Sequence, residues 1–470
     1  MRRSRLPCPG VVTPRLQGRL RSEPEKASMA ATRTILLARF FDGGVPRVFR
    51  GMATLATGSI AARAIGLVSI PILTRLYTPE DFGLFALFLA VIGILAPLLS
   101  LRFVIAIPLP RTNGMAMNVL MLSAMLSLAF TLAAAILLWV SGSTLLGWMG
   151  MEVLAPWWWL IALGLLGAAA YELLSTWANR RRAYRIMAQT QVMQRLMGSV
   201  VKIVLGLFAV TPLGLLLGQV VMESGGIGAL LGRFKADFRD NIRHVRRHRL
   251  VLVARRYWGF FAYGLPAFAL LVLSTKLPVI FFAGLFDLGD VGQFGLAYSV
   301  IALPTLVLAT NLAKVLFAEV AALNRKDIAM QLSLMKRVVS VSAVLAVPGC
   351  VLVAIASIYL LPIILGSDWE DTGLYAALLS PIIVSQVISN PVTRLLLLHE
   401  MHRKNFYLNA QRFSAVIGAF FVSYKFEFSP METVAVFSVL VSIHYIFAML
   451  IAYFQISALK CKEPIGASVG

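Results

Sequence analysis

Arg63, Lys202, Glu223 and Lys276 each stand inside a long apolar stretch of this 470-residue chain. An ionised group in hydrocarbon costs about 2.5–3.5 kcal/mol on insertion scales, so each must meet water, a partner or a ligand. A guanidinium matches phosphate oxygens bidentately, and an ammonium adds a compact point charge. Arg63, Lys276 and Lys202 therefore describe a cationic, substrate-binding cavity suited to an anion. The structural alternative for Arg63 is a hydrogen bond to helix carbonyls that ties two halves of the molecule together.

Glu223 offers a different chemistry. No other carboxylate lies as deep, since Glu172 falls near the inner end of its stretch. A buried carboxylate whose protonation changes can couple a cation to transport, so Glu223 is the cation-coupling candidate. Lys202 and Glu223 flank the turn at Thr211-Pro212. At the helical rise they lie about 14 Å and about 17 Å below it, close enough in depth to pair. Such a pair is equally compatible with a structural or a mechanistic role. Lys314 and Arg412, nearer the inner ends, are expected to snorkel to the headgroups.

Motifs for covalent chemistry are wanting. No G-x-x-x-x-G-K-[ST] and no H-E-x-x-H occurs, so nucleotide hydrolysis and zinc hydrolysis lack their parts. The longest outer connection, near 141–153, carries one acid and no histidine. The expectation is a non-enzyme without cofactor or metal, driven by a gradient or a partner.

The elements that hold these charges follow from composition. Hydrophobic residues make up 59% and charged residues 14%, with a mean hydropathy of +0.82. Globular domains are nearer half apolar and a quarter charged. A soluble enzyme is thereby excluded, and the default is a polytopic membrane protein. Apolar runs predict spans near 52–73, 83–101, 117–140, 154–176, 192–211 and 212–231, then 259–283, 291–317, 338–365, 373–398, 406–424 and 433–455. The fifth and sixth are one stretch, divided where proline and glycine release the helix at Thr211-Pro212-Leu213-Gly214.

Charge sets the orientation. Connections on the side of the N-terminal tail hold 23 Lys and Arg, those on the other side only Arg75 and Lys425, alongside ten acids. The positive-inside rule then puts both termini in the cytoplasm, and an even number of spans is required to keep that segregation. Trp139, Trp148, Trp157, Trp158 and Trp159 at one face and Tyr257-Trp258 at the other read as interfacial anchors. Residues 1–50, rich in Arg and Pro, read as a disordered basic tail, with Met29 and Met52 as alternative starts. Cys8, Cys350 and Cys461 form no disulfide or metal spacing, and Cys350 reads as a small core side chain.

The chain also repeats itself. Glu80-Asp81-Phe82-Gly83-Leu84-Phe85 and Gly289-Asp290-Val291-Gly292-Gln293-Phe294 stand 209 residues apart, each after a Pro-containing apolar segment, at Pro71 and Pro278. Both copies follow an odd-numbered span, so two halves of like orientation are expected, related by an axis along the membrane normal. The divisions are a tail 1–50, a six-helix lobe 51–231, a basic cytoplasmic linker 232–258, a six-helix lobe 259–456 and a tail 457–470. The expected fold is all-α and polytopic, with about twelve transmembrane helices in two six-helix lobes around a central cavity.

The stretch from Ile70-Pro71-Ile72-Leu73-Thr74-Arg75 to Glu80-Asp81-Phe82-Gly83 resembles the first outer loop of Wzx-type polysaccharide repeat-unit flippases. These form a branch of the multidrug/oligosaccharidyl-lipid/polysaccharide (MOP) exporter superfamily. Leu101-Arg102-Phe103-Val104-Ile105-Ala106-Ile107-Pro108 resembles the segment after their second span, and Lys276-Leu277-Pro278 through Val291-Gly292-Gln293-Phe294 and Ala302-Leu303-Pro304 their seventh and eighth. The resemblance implies a bacterial inner-membrane carrier of undecaprenyl-diphosphate-linked oligosaccharides for O-antigen, capsule or exopolysaccharide, working by alternating access with cation antiport. It also implies a polysaccharide polymerase and a chain-length regulator as partners, and no nucleic acid. One departure is Arg102-Phe103-Val104 where the family pattern tends to Arg-Tyr-Glu, so a relay through that glutamate has no residue here. The alternatives are a drug or organic-cation exporter of the same superfamily, which calls for acids in the lumen, and a membrane glycan polymerase or ligase, which needs a large outer loop.

Overall fold

The computed structural model describes residues 45–323, 327–399 and 401–460. Among them are fourteen α-helices and no strand. The first half comprises α1 (Val45–Leu76), α2 (Pro79–Leu95), α3 (Asn113–Gly147), α4 (Trp158–Arg180), α5 (Tyr184–Leu207), α6 (Leu213–Ser224) and α7 (Ile227–Ile242). A short α8 (Arg247–Arg256) leads to the second half: α9 (Leu265–Ala283), α10 (Leu288–Ala322), α11 (Ile328–Leu365), α12 (Glu370–Leu398), α13 (His402–Lys425) and α14 (Pro430–Lys460). The chain is an all-α, multi-pass membrane protein.

Among the described residues nine segments are long and apolar enough to cross a membrane by length and composition. The other three expected spans fall on α5, α10 and α13. Helices α5 and α13 carry polar residues, Arg195 and Lys202 in one, Asn409, Gln411 and Arg412 in the other. At 24 residues each they still run about 36 Å, the thickness of a hydrocarbon core and more.

Local chemistry fixes the helix ends that matter. Thr78 caps α2 in a capping box: Asp81 N–H donates to Thr78 Oγ1 at 3.4 Å, and Thr78 N–H to Asp81 Oδ2 at 3.2 Å. Asp287 caps α10 with its side chain alone, accepting from Asp290 N–H at 2.9 Å. Helices α6 and α7 meet at Gly225-Gly226, where Gly226 has φ +83 and a Cβ would fall 2.7 Å from that of Thr190. Residues 232–258, expected as a basic cytoplasmic linker, hold the end of α7 and all of α8. The tail expectation falls mostly on residues outside those described, and helix is already present at Val45.

The helices gather into two bundles. In the first, α5 packs on α1 and α6, and α4 on α3 and α6; in the second, α12 packs on α10, α11 and α14, while α13 packs on α14 and α9. Lipid is as apolar as the side chains, so packing contacts rather than hydrophobic burial hold such bundles together. Helix α11 accordingly turns Val344, Leu345, Leu352 and Ile363 outward. The bundles meet chiefly where α2 lies against α10 and α9, around Leu87, Phe88, Phe282 and Phe294.

This junction joins the two copies of the repeat. A Cβ on Gly83 would overlap the carbonyl oxygen of Leu288, and one on Gly292 the carbonyl oxygen of Pro79. The end bearing the acidic connections, called outer below, is further tied by Trp369, whose Nε1 donates to Thr74 O at 3.0 Å and whose ring meets Phe82 edge-on at 4.8 Å.

Candidate functional site

On the inner side of that junction lies a cavity of about 410 Å³. Its walls come from α1, α2, α5 and α6 of the first bundle and α9 and α10 of the second, with Leu73 and Phe82 toward the outer end. Arg63, Arg195, Lys202 and Lys276 all line it. The three basic residues expected from sequence are thus brought together from α1, α5 and α9.

Arg195 was not singled out in the sequence, although a signal exists. Arg195, Ser199 and Lys202 are spaced i, i+4 and i+7, which puts them on one face of α5. All three line the cavity.

Lys202 and Glu223 do not pair directly. Lys202 Nζ donates to Gln219 Oε1 at 3.0 Å, and Gln219 Nε2 donates to Glu223 Oε1 at 2.7 Å. One helical turn separates Gln219 from Glu223 on the same face of α6. The amide thus stands in the place where the sequence suggested an ion pair, a residue missed because glutamine carries no charge to flag it. Lys202 is buried, 7% exposed, and its ammonium sits 4.3 Å above the Phe85 ring. Glu223 acts electrostatically on Arg195, Lys202 and Lys276 alike. Among the described residues the one ion pair is Arg181 with Asp237, well outside the cavity. Four cations therefore face one carboxylate, and the site carries excess positive charge.

Small residues make room for these side chains. A Cβ on Gly93 would come within 2.7 Å of Lys276 Cε, so the lysine stem runs over that glycine on α2. Gly206 and Gly214 similarly admit the Tyr77 ring, whose Oη donates to Lys202 O at 2.6 Å. Burial, with the Asp81 carboxylate second, pushes Tyr77 up to about 12. It stays a donor at any working pH and fixes the backbone that presents Lys202.

Two further cations find partners that the sequence did not show. Arg412 does not snorkel: its guanidinium lies 5.3 Å from the Tyr445 ring centroid, within electrostatic reach of His444 and Tyr298, and Tyr298 is itself a cavity residue. Arg102 sits 3.8 Å over the Phe268 ring, a contact between the bundles. The carboxylate acting on Arg102 is Glu172 of α4, so an acid distant in sequence stands near an arginine whose own segment supplies none. Cys350 is half-buried, with Sγ 3.2 Å from Ser380 Oγ.

The family described as polysaccharide biosynthesis protein matches residues 72–373, well over half of the chain and the whole of the inter-bundle junction. The chain belongs to that family. This polysaccharide biosynthesis protein also shares its fold with solved transporters. An inward-facing multidrug resistance MATE family transporter of the MOP superfamily superposes with a TM-score of 0.65 at 16% identity, covering 86% of this chain and 99% of the other. The lipid II flippase MurJ, in an inward closed conformation, gives 0.56 at 13% identity over 87% and 90%. The Vibrio cholerae MATE transporter VcmN gives 0.53 at 10% identity over 89% and 97%. At such identities the likeness is one of fold. No curated protein matches the sequence. The family agrees with the resemblance seen in the loop motifs, and this polysaccharide biosynthesis protein has the fold of MOP-superfamily transporters.

Proposed function

We propose that the protein flips undecaprenyl-diphosphate-linked oligosaccharide repeat units across the bacterial inner membrane for surface polysaccharide synthesis, by alternating access. The observation that carries this reading is the convergence of Arg63, Arg195, Lys202 and Lys276, drawn from both bundles, on one cavity with a single carboxylate nearby. Arginine forks and ammonium groups suit the oxygens of a diphosphate. The volume, about 410 Å³, is that of a small-ligand pocket. It suits the diphosphate head and adjoining sugar, with the lipid tail left in the bilayer.

Because the cations come from both bundles, an anion bridging them draws the bundles together, and its departure lets them part. Glu223, joined to Lys202 through Gln219, supports cation antiport. Antiport requires the cation and the substrate to occupy the carrier alternately, and Glu223 is the carboxylate placed to hold the cation once the substrate has left. The segregation of basic connections supports cytoplasmic termini, and a polymerase and a chain-length regulator would follow in the same process.

The test is reconstitution into vesicles with a fluorescent diphosphate-linked oligosaccharide. Each charge-assisted hydrogen bond is worth about 1.5–3 kcal/mol, so Arg63→Ala and Lys276→Ala should each weaken uptake about tenfold or more. Full activity in both variants would end the cationic-cavity mechanism. Export of organic cations, with no glycan movement, would favour the drug-exporter reading.

A further inference from the structure

The connection between the bundles carries a surface that the cavity does not use. Residues 243–258 contain six arginines, two histidines and no acid. Arg243, Arg246, Arg247, Arg255 and Arg256 are exposed, and among the described residues none of them has a carboxylate within ion-pair distance. Helix α8 is pinned to the first bundle by Val253, which is fully buried against the Trp177 and Phe234 cluster. Asn118 Nδ2 holds the preceding turn by donating to His244 O at 3.2 Å.

The opposite side of α8 is built differently. His248, Val251, Leu252 and Arg255 fall at i, i+3, i+4 and i+7, one outward stripe. Val251 is 49% and Leu252 48% exposed, and Ile242 and Trp258 beside them are exposed too. Water does not favour the aliphatic and indole groups, and hydrocarbon does not favour the arginines. A stripe mixing both fits the boundary between headgroups and acyl chains. The short length of α8, ten residues, and its fixation beside the inner end of α3 leave it lying at that boundary rather than crossing it.

We propose that α8 and its flanking turns form a binding surface for anionic phospholipid headgroups of the leaflet on the basic side of the membrane. The five exposed arginines contact lipid phosphates, while Val251, Leu252 and Trp258 enter the acyl boundary. Juxtamembrane arginine clusters bind anionic leaflets by just this charge attraction, which salt weakens. The surface shares no residue with the cavity lining, and the inference stands whatever cargo the cavity takes.

The experiment uses the full chain in nanodiscs, with Cys8, Cys350 and Cys461 changed to serine and an environment-sensitive fluorophore on Leu252→Cys. Discs of phosphatidylcholine alone are compared with discs containing phosphatidylglycerol. A blue-shifted emission in the anionic discs, reversed by salt and lost on combined Arg243→Gln, Arg246→Gln, Arg247→Gln, Arg255→Gln and Arg256→Gln substitution, is expected. Equal emission in both discs, or an unchanged response in the combined variant, overturns the proposal. Native mass spectrometry of unlabelled wild-type protein provides a second measurement that needs no variant to fold. Several-fold enrichment of retained phosphatidylglycerol over phosphatidylcholine is expected, and equal retention, or retention only of an added diphosphate-linked lipid, overturns it.

Discussion

Gly83 lies against the backbone carbonyl of Leu288, and the residues 209 positions further on, or back, repeat the contact: Gly292 lies against Pro79. The two copies of the repeat thus cross each other reciprocally, as an approximate two-fold axis requires. Small residues let helix backbones approach to this degree, and the crossing lies at the outer end, above the cavity. Gly83→Val should therefore hold the outer ends apart. Overpacking of this kind costs about 1–3 kcal/mol, and the expected outcome is faster labelling of a cysteine placed at Leu73, with slower transport. Unchanged labelling would show that the crossing does not seal the cavity.

The fold was legible in the sequence because lipid makes its demands locally. Apolar runs, the charge asymmetry and the Pro79-Glu80-Asp81-Phe82-Gly83 loop each reported on a span or its end without long-range knowledge. The cationic set was legible for the same reason, since Arg63, Lys202 and Lys276 are costly wherever they point. Gln219 was not, because an uncharged amide in a span has no such cost to betray it. Arg412 was misjudged, and Arg102 left without a partner, for another reason. Their partners, Phe268, Glu172 and Tyr445, lie on other helices, and only packing brings them near.

Gln219 offers a test of the link between Lys202 and Glu223. Gln219→Leu keeps the side-chain size but removes both hydrogen bonds, leaving buried Lys202 and half-buried Glu223 without their partner. The expected loss is about 1–3 kcal/mol for each, seen as a lowered midpoint in detergent thermal unfolding. Gln219→Glu supplies Lys202 with a direct carboxylate and should retain more stability while adding negative charge to the cavity. Its transport should fall more than its stability does. If both variants keep wild-type transport and its ion dependence, the chain of three side chains has no part in coupling.

Tyr77 predicts a pH effect. Its hydroxyl donates to Lys202 O at 2.6 Å, and burial raises the phenol from 10.0 to about 12. A folded-state value above the unfolded one favours the native state while the group is protonated. The contribution is complete below pH 10 and is lost as pH rises through 12. Alkaline unfolding of the wild type should include this step, and Tyr77→Phe should abolish it while lowering stability near neutrality by about 1 kcal/mol, the worth of one hydrogen bond. Identical alkaline profiles for the two proteins would count against the assignment.

Arg102 combines two features that substitution can separate. Its backbone is left-handed, with φ 66 after Leu101 at φ 48, a conformation costing about 1–2 kcal/mol in residues other than glycine. Its guanidinium also stacks on Phe268 across the bundle boundary at 3.8 Å, worth about 0.5–2 kcal/mol. Arg102→Gly removes the stack but relieves the backbone, so the two effects should nearly cancel in thermal stability. Arg102→Ala removes the stack and keeps the strain, and should be the less stable variant by about 1 kcal/mol. Phe268→Leu leaves the backbone alone and tests the stack directly. If the stack helps hold the bundles in this arrangement, Arg102→Gly and Phe268→Leu should broaden the distance between spin labels on α2 and α9 to the same extent, despite their different stabilities. Unbroadened distances in both would reduce the contact to a local one.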